Sequence, residues 1–185
     1  IYSTTTANPP TLTNLAAIST WKPSAGVYAN GNYYLISVLQ MGSMVRASKL
    51  EKYDVNTWIA INSVDPGTNI PTSLAFNPKD GKTYGCYPTA TNGFELGVLD
   101  LDKGTTTTVG ALDQRYVALF ADNGGKVYGI GVDGNLCQFN LETAAATVIG
   151  ATGVTPSIDV QDACFDESTN TVYWFAHTAY ECSLY

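Results

Sequence analysis

Residues 71–87 read P-T-S-L-A-F-N-P-K-D-G-K-T-Y-G-C-Y, and residues 94–112 read F-E-L-G-V-L-D-L-D-K-G-T-T-T-T-V-G-A-L. Between them lies a short polar turn. The stretch from Pro71 to Leu112 is thus four apolar runs separated by turn-forming residues, the unit of a four-stranded antiparallel sheet. The expected strands are Ser73 to Phe76, Thr83 to Tyr87, Glu95 to Leu101 and Thr105 to Leu112.

Working outward, the unit recurs. An aromatic residue, a turn and a tyrosine occur as Tyr28 with Tyr34, Phe76 with Tyr84, Phe120 with Tyr128, and Phe165 with Tyr173. The tyrosine returns after 50, 44 and 45 residues, and the first aromatic after 48, 44 and 45. Two columns keeping one period imply a repeat architecture. The first repeat reads as Ala25 to Tyr28, Tyr33 to Leu39, Val45 to Tyr53 and Thr57 to Val64. The third runs Val117 to Ala121, Lys126 to Ile130, Leu136 to Leu141 and Ala146 to Gly150. The fourth gives Ala163 to Phe165, Val172 to Ala176 and Glu181 to Tyr185. At the start, Ile1-Tyr2-Ser3 reads as a third strand and Thr11 to Ile18 as a fourth. No segment of ten residues carries convincing helical spacing, so an all-β fold is expected.

Turn chemistry supports these strands. Asn30-Gly31-Asn32, Asn77 to Gly81, Asp122 to Gly125 and Asp166 to Asn170 hold residues that accept positive φ or bond their own backbone. A period in the mid-forties with four strands per repeat resembles the β-propeller. Phrases such as F-N-P-K-D-G-K-T-Y-G look like blades of secreted bacterial repeat proteins related to the kelch, NHL and YVTN groups. The resemblance is one of blade grammar: the Gly-His and Trp-Asp marks of WD40 repeats are absent, and the kelch double glycine is not regularly placed. It implies four blades' worth of strands in a single domain or propeller segment. Pairing of Thr11 to Ile18 with the last blade would close a four-bladed ring; a segment of a larger ring is the alternative. The chain begins mid-pattern at Ile1, which reads as a processed or trimmed segment.

Composition bounds the function. The 185 residues hold 9 basic and 16 acidic side chains, a formal charge of −7, and only 14% are charged. A basic stripe for phosphates is missing, so nucleic acid is not an expected partner. No apolar run reaches the roughly 18 residues that span a bilayer, so no membrane insertion is expected in this segment. Cys86, Cys137, Cys164 and Cys182 lack the tight pair of a zinc site. Buried thiols are the simpler expectation, with a disulfide the alternative.

Motifs for chemistry are sparse. His177 is the single histidine, so a Ser-His-Asp triad would have to use it. Its place between strands suggests a solvated turn residue. Acidic residues gather at Asp159, Asp162 and Asp166; paired carboxylates do glycoside hydrolysis, but turns also favour Asp. Asp100 and Asp102 have a calcium-like spacing without the further ligands. The tyrosine column (Tyr34, Tyr84, Tyr128, Tyr173) reads as inter-blade core, whereas Trp21, Tyr87, Tyr116 and Tyr180 lie off it as candidates for ligand contact. No glycine loop cradles phosphate and no cofactor is implied. The expected function is a non-catalytic binding or scaffold propeller contacting a glycan or protein through loops or channel. The expected location is extracellular, periplasmic or cell-surface. A glycan-active enzyme using channel carboxylates, or a purely structural segment, is the alternative.

Overall fold

A computed structural model describes residues 2–4, 11–15, 21–42, 44–158 and 161–185. All of its regular structure is β. In chain order the strands are β1 (Tyr2–Thr4), β2 (Leu12–Asn14), β3 (Lys22–Ala29), β4 (Asn32–Met41), β5 (Met44–Asp54), β6 (Ala60–Val64), β7 (Leu74–Asn77), β8 (Lys82–Pro88) and β9 (Phe94–Leu99). Then follow β10 (Thr106–Leu112), β11 (Tyr116–Ala121), β12 (Val127–Gly131), β13 (Asn135–Phe139), β14 (Ala146–Ala151), β15 (Asp162–Asp166), β16 (Thr171–His177) and β17 (Cys182–Leu184).

These strands form four antiparallel meanders arranged as a four-bladed β-propeller. Blades 1 to 3 are β3-β4-β5-β6, β7-β8-β9-β10 and β11-β12-β13-β14, and blade 4 is the three-stranded β15-β16-β17. The short β1 and β2 pair with each other. Among the described residues neither joins β17, so the expected closure through residues 11–18 is not seen there; residues 16–18, and Ile1, fall outside the described residues.

Turn capping explains where the strands stop. Asp54 Oδ1 accepts the Asn56 and Thr57 amides, Asp100 Oδ1 those of Asp102 and Lys103, and Asn140 Oδ1 those of Glu142 and Thr143. A side chain that bonds the backbone two and three residues on bends the chain at once. Strands β9 and β13 therefore end at Leu99 and Phe139, short of the expected Leu101 and Leu141. Strand β6 likewise starts at Ala60 because Thr57 and Trp58 belong to the turn.

The fifth residue of each such turn has positive φ: Trp58 at 55°, Gly104 at 74° and Ala144 at 63°. Only Gly104 occupies it without a side-chain penalty. A Cβ there would also lie 3.0 Å from the Asp65 carbonyl oxygen and 3.1 Å from Pro66 Cα. Gly104→Ala should lose about 1 kcal/mol, read as a lower urea midpoint at unchanged slope; an unmoved midpoint would contradict the account.

Blade faces bury against one another as packed sheets, which is where apolar area leaves water. Three clusters sit at three successive seams. Ala25, Tyr34, Ile36, Leu50, Leu74 and Leu99 join blades 1 and 2. Tyr84, Cys86, Leu96, Tyr116, Val127 and Phe139 belong to the second, between blades 2 and 3. Val117, Ile130, Trp174 and Ala176 join blades 3 and 4. The tyrosine column is core as expected in its first half, with Tyr34 and Tyr84 buried, while Tyr128 and Tyr173 are half-buried. Its hydroxyls reach turn carboxylates: Tyr84 donates to Asp80 at 2.7 Å and Tyr128 to Asp122 at 2.9 Å.

Candidate functional site

The innermost strands β3, β7, β11 and β15 neighbour one another in that order and surround one cavity of about 340 Å³. Parallel inner strands bring repeat-equivalent residues to the same level. Tyr28, Phe76, Phe120 and Phe165, each one residue before its strand ends, therefore all line this cavity. The first aromatic column is thus the wall of a central cup. Phe76 both packs on the blade 1–2 cluster and lines the cup.

At the other end of the cup stands Asp162, the first residue of β15. Its Oδ1 accepts the Ser73 hydroxyl at 3.2 Å and the Ala163 amide at 3.0 Å, leaving Oδ2 without a partner among the described residues. Ser73 precedes β7 in blade 2, across the ring from blade 4, and its Oγ also accepts the Leu119 amide of β11 at 2.9 Å. One hydroxyl therefore ties three blades together over the axis and closes that end of the cup.

Tyr33 completes the wall from β4. Its ring lies over Gly26 of β3, where a Cβ would collide with the phenol oxygen and stand 2.8 Å from Cζ. Only a glycine on the inner strand lets this phenol lean towards the axis. Burial, then the Asp162 charge, pushes the Tyr33 hydroxyl up to about 12.

Asp162 is solvent-exposed as a residue and lines the cavity, while protein atoms lie densely around its carboxyl. Crowding dominates its ionisation: desolvation pushes the carboxyl up to about 7, against the lowering effect of the Ala163 and Ser73 hydrogen bonds. Asp166 is the opposite. Thr169 Oγ1, Ser168 Oγ and the Ser168 amide bond its two oxygens at 2.7, 2.7 and 2.9 Å, holding it below the usual carboxylate range. Four residues of strand separate the two aspartates, roughly 13 Å along the backbone at ~3.3 Å per residue. Glycosidase pairs stand about 5 to 9.5 Å apart. The structure thus does not bring Asp162 and Asp166 together, and Asp159 lies outside the described residues.

The aromatic contact candidates divide. Tyr87 and Tyr116 are 1% and 0% exposed and are corrected to core residues. Gly85 and Gly97 face each other across β8 and β9, and the Tyr87 ring fills the space their missing side chains leave. Tyr116 meets Phe139 edge-on at 4.7 Å, and its hydroxyl donates to Asp113 at 2.9 Å. Tyr180, 98% exposed, sits between β16 and β17, and Trp21 is half-buried with Lys49 Nζ 4.6 Å from its ring centre. These two remain at the surface.

His177 is not a loose turn residue. It ends β16, half-buried, with Nδ1 2.5 Å from Ser157 Oγ. The Ser157 amide donates to the His177 carbonyl at 2.7 Å, and Gln161 Nε2 donates to both carbonyls. Serine here meets Nδ1, whereas in the triad template Nε2 takes the serine proton. Asp100 is also spoken for: besides the turn amides it accepts Lys103 Nζ at 2.9 Å. Cys86 and Cys137 are buried, Cys164 and Cys182 exposed, and all four are free thiols.

With this geometry in hand, comparison with known proteins is informative about architecture. A Bacteroides thetaiotaomicron structural-genomics protein of unknown function superposes with TM-score 0.60 at 14% identity, over 91% of this chain and 42% of that one. The major Malassezia sympodialis allergen Mala s 1 gives 0.59 at 12%, over 92% and 62%. The Bacteroides ovatus xyloglucan PUL GH43B gives 0.53 at 16%, over 83% and 36%.

The likeness is of fold alone.

The propeller chain spans between about a third and two thirds of the length of these structures. No family model matches its sequence, and no curated protein does.

Proposed function

We propose that this propeller is a non-catalytic binding module, extracellular or cell-surface, that receives its ligand in the central cup. A glycan, or the side chains of a protein, is the partner class that fits aromatic walls with one polar floor. The carrying observation is that the cup is a concave, mostly apolar pocket with few polar groups, the usual composition of a ligand site. Asp162 stands there with a free oxygen, while Asp166 is consumed by its turn. The acidic charge supports a reading without nucleic acid or membrane insertion, and the blade grammar supports kinship with secreted bacterial repeat proteins.

The runner-up is a glycan-active enzyme. The raised Asp162 carboxyl favours it, because a protonated acid near neutral pH is what leaving-group protonation needs.

A glycan array, followed by tryptophan-fluorescence titration of hits, tests the first reading. Saturable binding is expected, weakened about tenfold by Phe76→Ala, the equivalent of about 1.4 kcal/mol. A blank array overturns the glycan reading and leaves protein side chains as the partner class. Release of reducing sugar that Asp162→Asn abolishes overturns the non-catalytic reading and would establish the enzyme instead.

A further inference from the structure

We propose that the cup selects a small organic cation, an alkylammonium or quaternary ammonium group, with Asp162 as its counter-charge and the rim aromatics as its cage. The inference rests on the reading of the cup as a ligand site and adds the class of ligand.

Three observations carry it. The cup is lined by carboxylates at both levels, Asp162 on the floor and Glu167 in the β15–β16 turn, and among the described residues no Lys, Arg or His lines it. Four aromatic side chains from four different blades, joined by Tyr33, surround the space above the floor. Ring faces attract cations through their quadrupole, and aromatic cages recognise quaternary ammonium in this way. Finally, among the described residues Asp162 Oδ2 has no hydrogen-bond partner, although Oδ1 takes two hydrogen bonds. That oxygen is open to the cup and available to a cation arriving there.

The alternatives fit less well. A hard metal ion such as calcium takes six to eight oxygens, and the apolar walls supply too few. A neutral sugar would leave the paired acidic charge of floor and rim uncompensated. The volume of about 340 Å³ lies at the small end for ligand pockets, room for a compact headgroup rather than a long oligosaccharide. A chain of charge −7 also draws cations towards it at low salt.

The test compares choline with 3,3-dimethylbutan-1-ol, its neutral isostere, by isothermal titration on the intact chain at low salt and pH 8. Choline is expected to bind about tenfold or more tightly than the isostere. Asp162→Asn should weaken choline about tenfold while leaving the isostere unchanged. That amide can still accept from Ser73 and Ala163, so the floor is preserved. Phe165→Leu should weaken choline by roughly 2- to 30-fold, the span of about 0.5–2 kcal/mol for one cation–π contact. Circular dichroism of each variant confirms that the blades persist. Equal affinity for the isostere, or a choline affinity indifferent to Asp162→Asn, overturns the inference. Silence towards choline with glycan binding intact overturns the cation and spares the binding module; silence in both experiments overturns the cation and the glycan reading together.

Discussion

Tyr116→Ala is expected to cost about 3–5 kcal/mol, as for other large aromatic truncations in cores. The side chain is fully buried and lies in the cluster that joins blades 2 and 3, against Phe139. Its loss empties a site walled by strands from both blades, where the sheet backbones leave little freedom to collapse. The melting temperature should fall by roughly 6–20 °C, at about 2–4 °C per kcal/mol for a domain of this size. Tyr116→Phe separates packing from polarity. It keeps the edge-on ring contact and forfeits the hydroxyl's bonds to Asp113 and Cys137, for about 1 kcal/mol. A loss below 1 kcal/mol for the alanine variant would mean that the ring is not a core element.

Asp162→Asn should stabilise the protein at neutral and higher pH. The folded carboxyl is raised to about 7 from an ordinary value of 3.8. Between those values the folded chain holds a proton that the unfolded chain releases, so stability falls as pH rises through this window. The penalty is complete above about pH 7 and absent below about pH 4. Because water enters the cup, the full shift is discounted to about 1–2 kcal/mol. The groups facing Asp162 are Tyr33 from β4, Ser73 before β7, Cys164 on its own strand and Glu167 at the far end of the cup. None is a base that would reverse the sign. Urea titrations at pH 5 and pH 8 should therefore show the variant gaining clearly more on the native chain at pH 8 than at pH 5. An equal difference at both pH values would rule out the raised carboxyl.

The repeat was legible in the sequence because packing and turn chemistry both obey the same period. Phe76, Phe120 and Phe165 recur with their tyrosines, and the Asn and Asp of each inner hairpin mark the bend. Strand ends were less legible. Leu101 and Leu141 carry apolar side chains that extend the pattern, but Asp100 and Asn140 before them bond the turn amides and end the strands sooner. Local hydrogen bonding overrode hydropathy.

The site was half legible. Asp162 stood out as an acidic residue, but its partner Ser73 is 89 residues away and no spacing connects them. Tyr87 and Tyr116 misled for a different reason. They lie off the repeated column, yet each covers a place where glycines or a neighbouring ring leave room. A signal for Tyr87 was present: Gly85 and Gly97 fall opposite one another once β8 and β9 are paired, and such a gap demands an aromatic cover. Only the ring geometry could reveal that the first aromatic column faces the axis.

The Ser73 bond over the axis also bears on how the chain reaches this structure. Each blade is a meander whose strand pairs close loops on the order of ten residues, a local and rapid step. The Ser73–Asp162 bond instead closes 89 residues. By loop-closure entropy that contact costs about 2 kcal/mol more than a hairpin contact, and its donor hydroxyl also accepts the Leu119 amide of a third blade. Sequence separation thus ranks it after the blades it links. The hydroxyl that floors the cup is, in folding terms, a late latch between blades that each close locally.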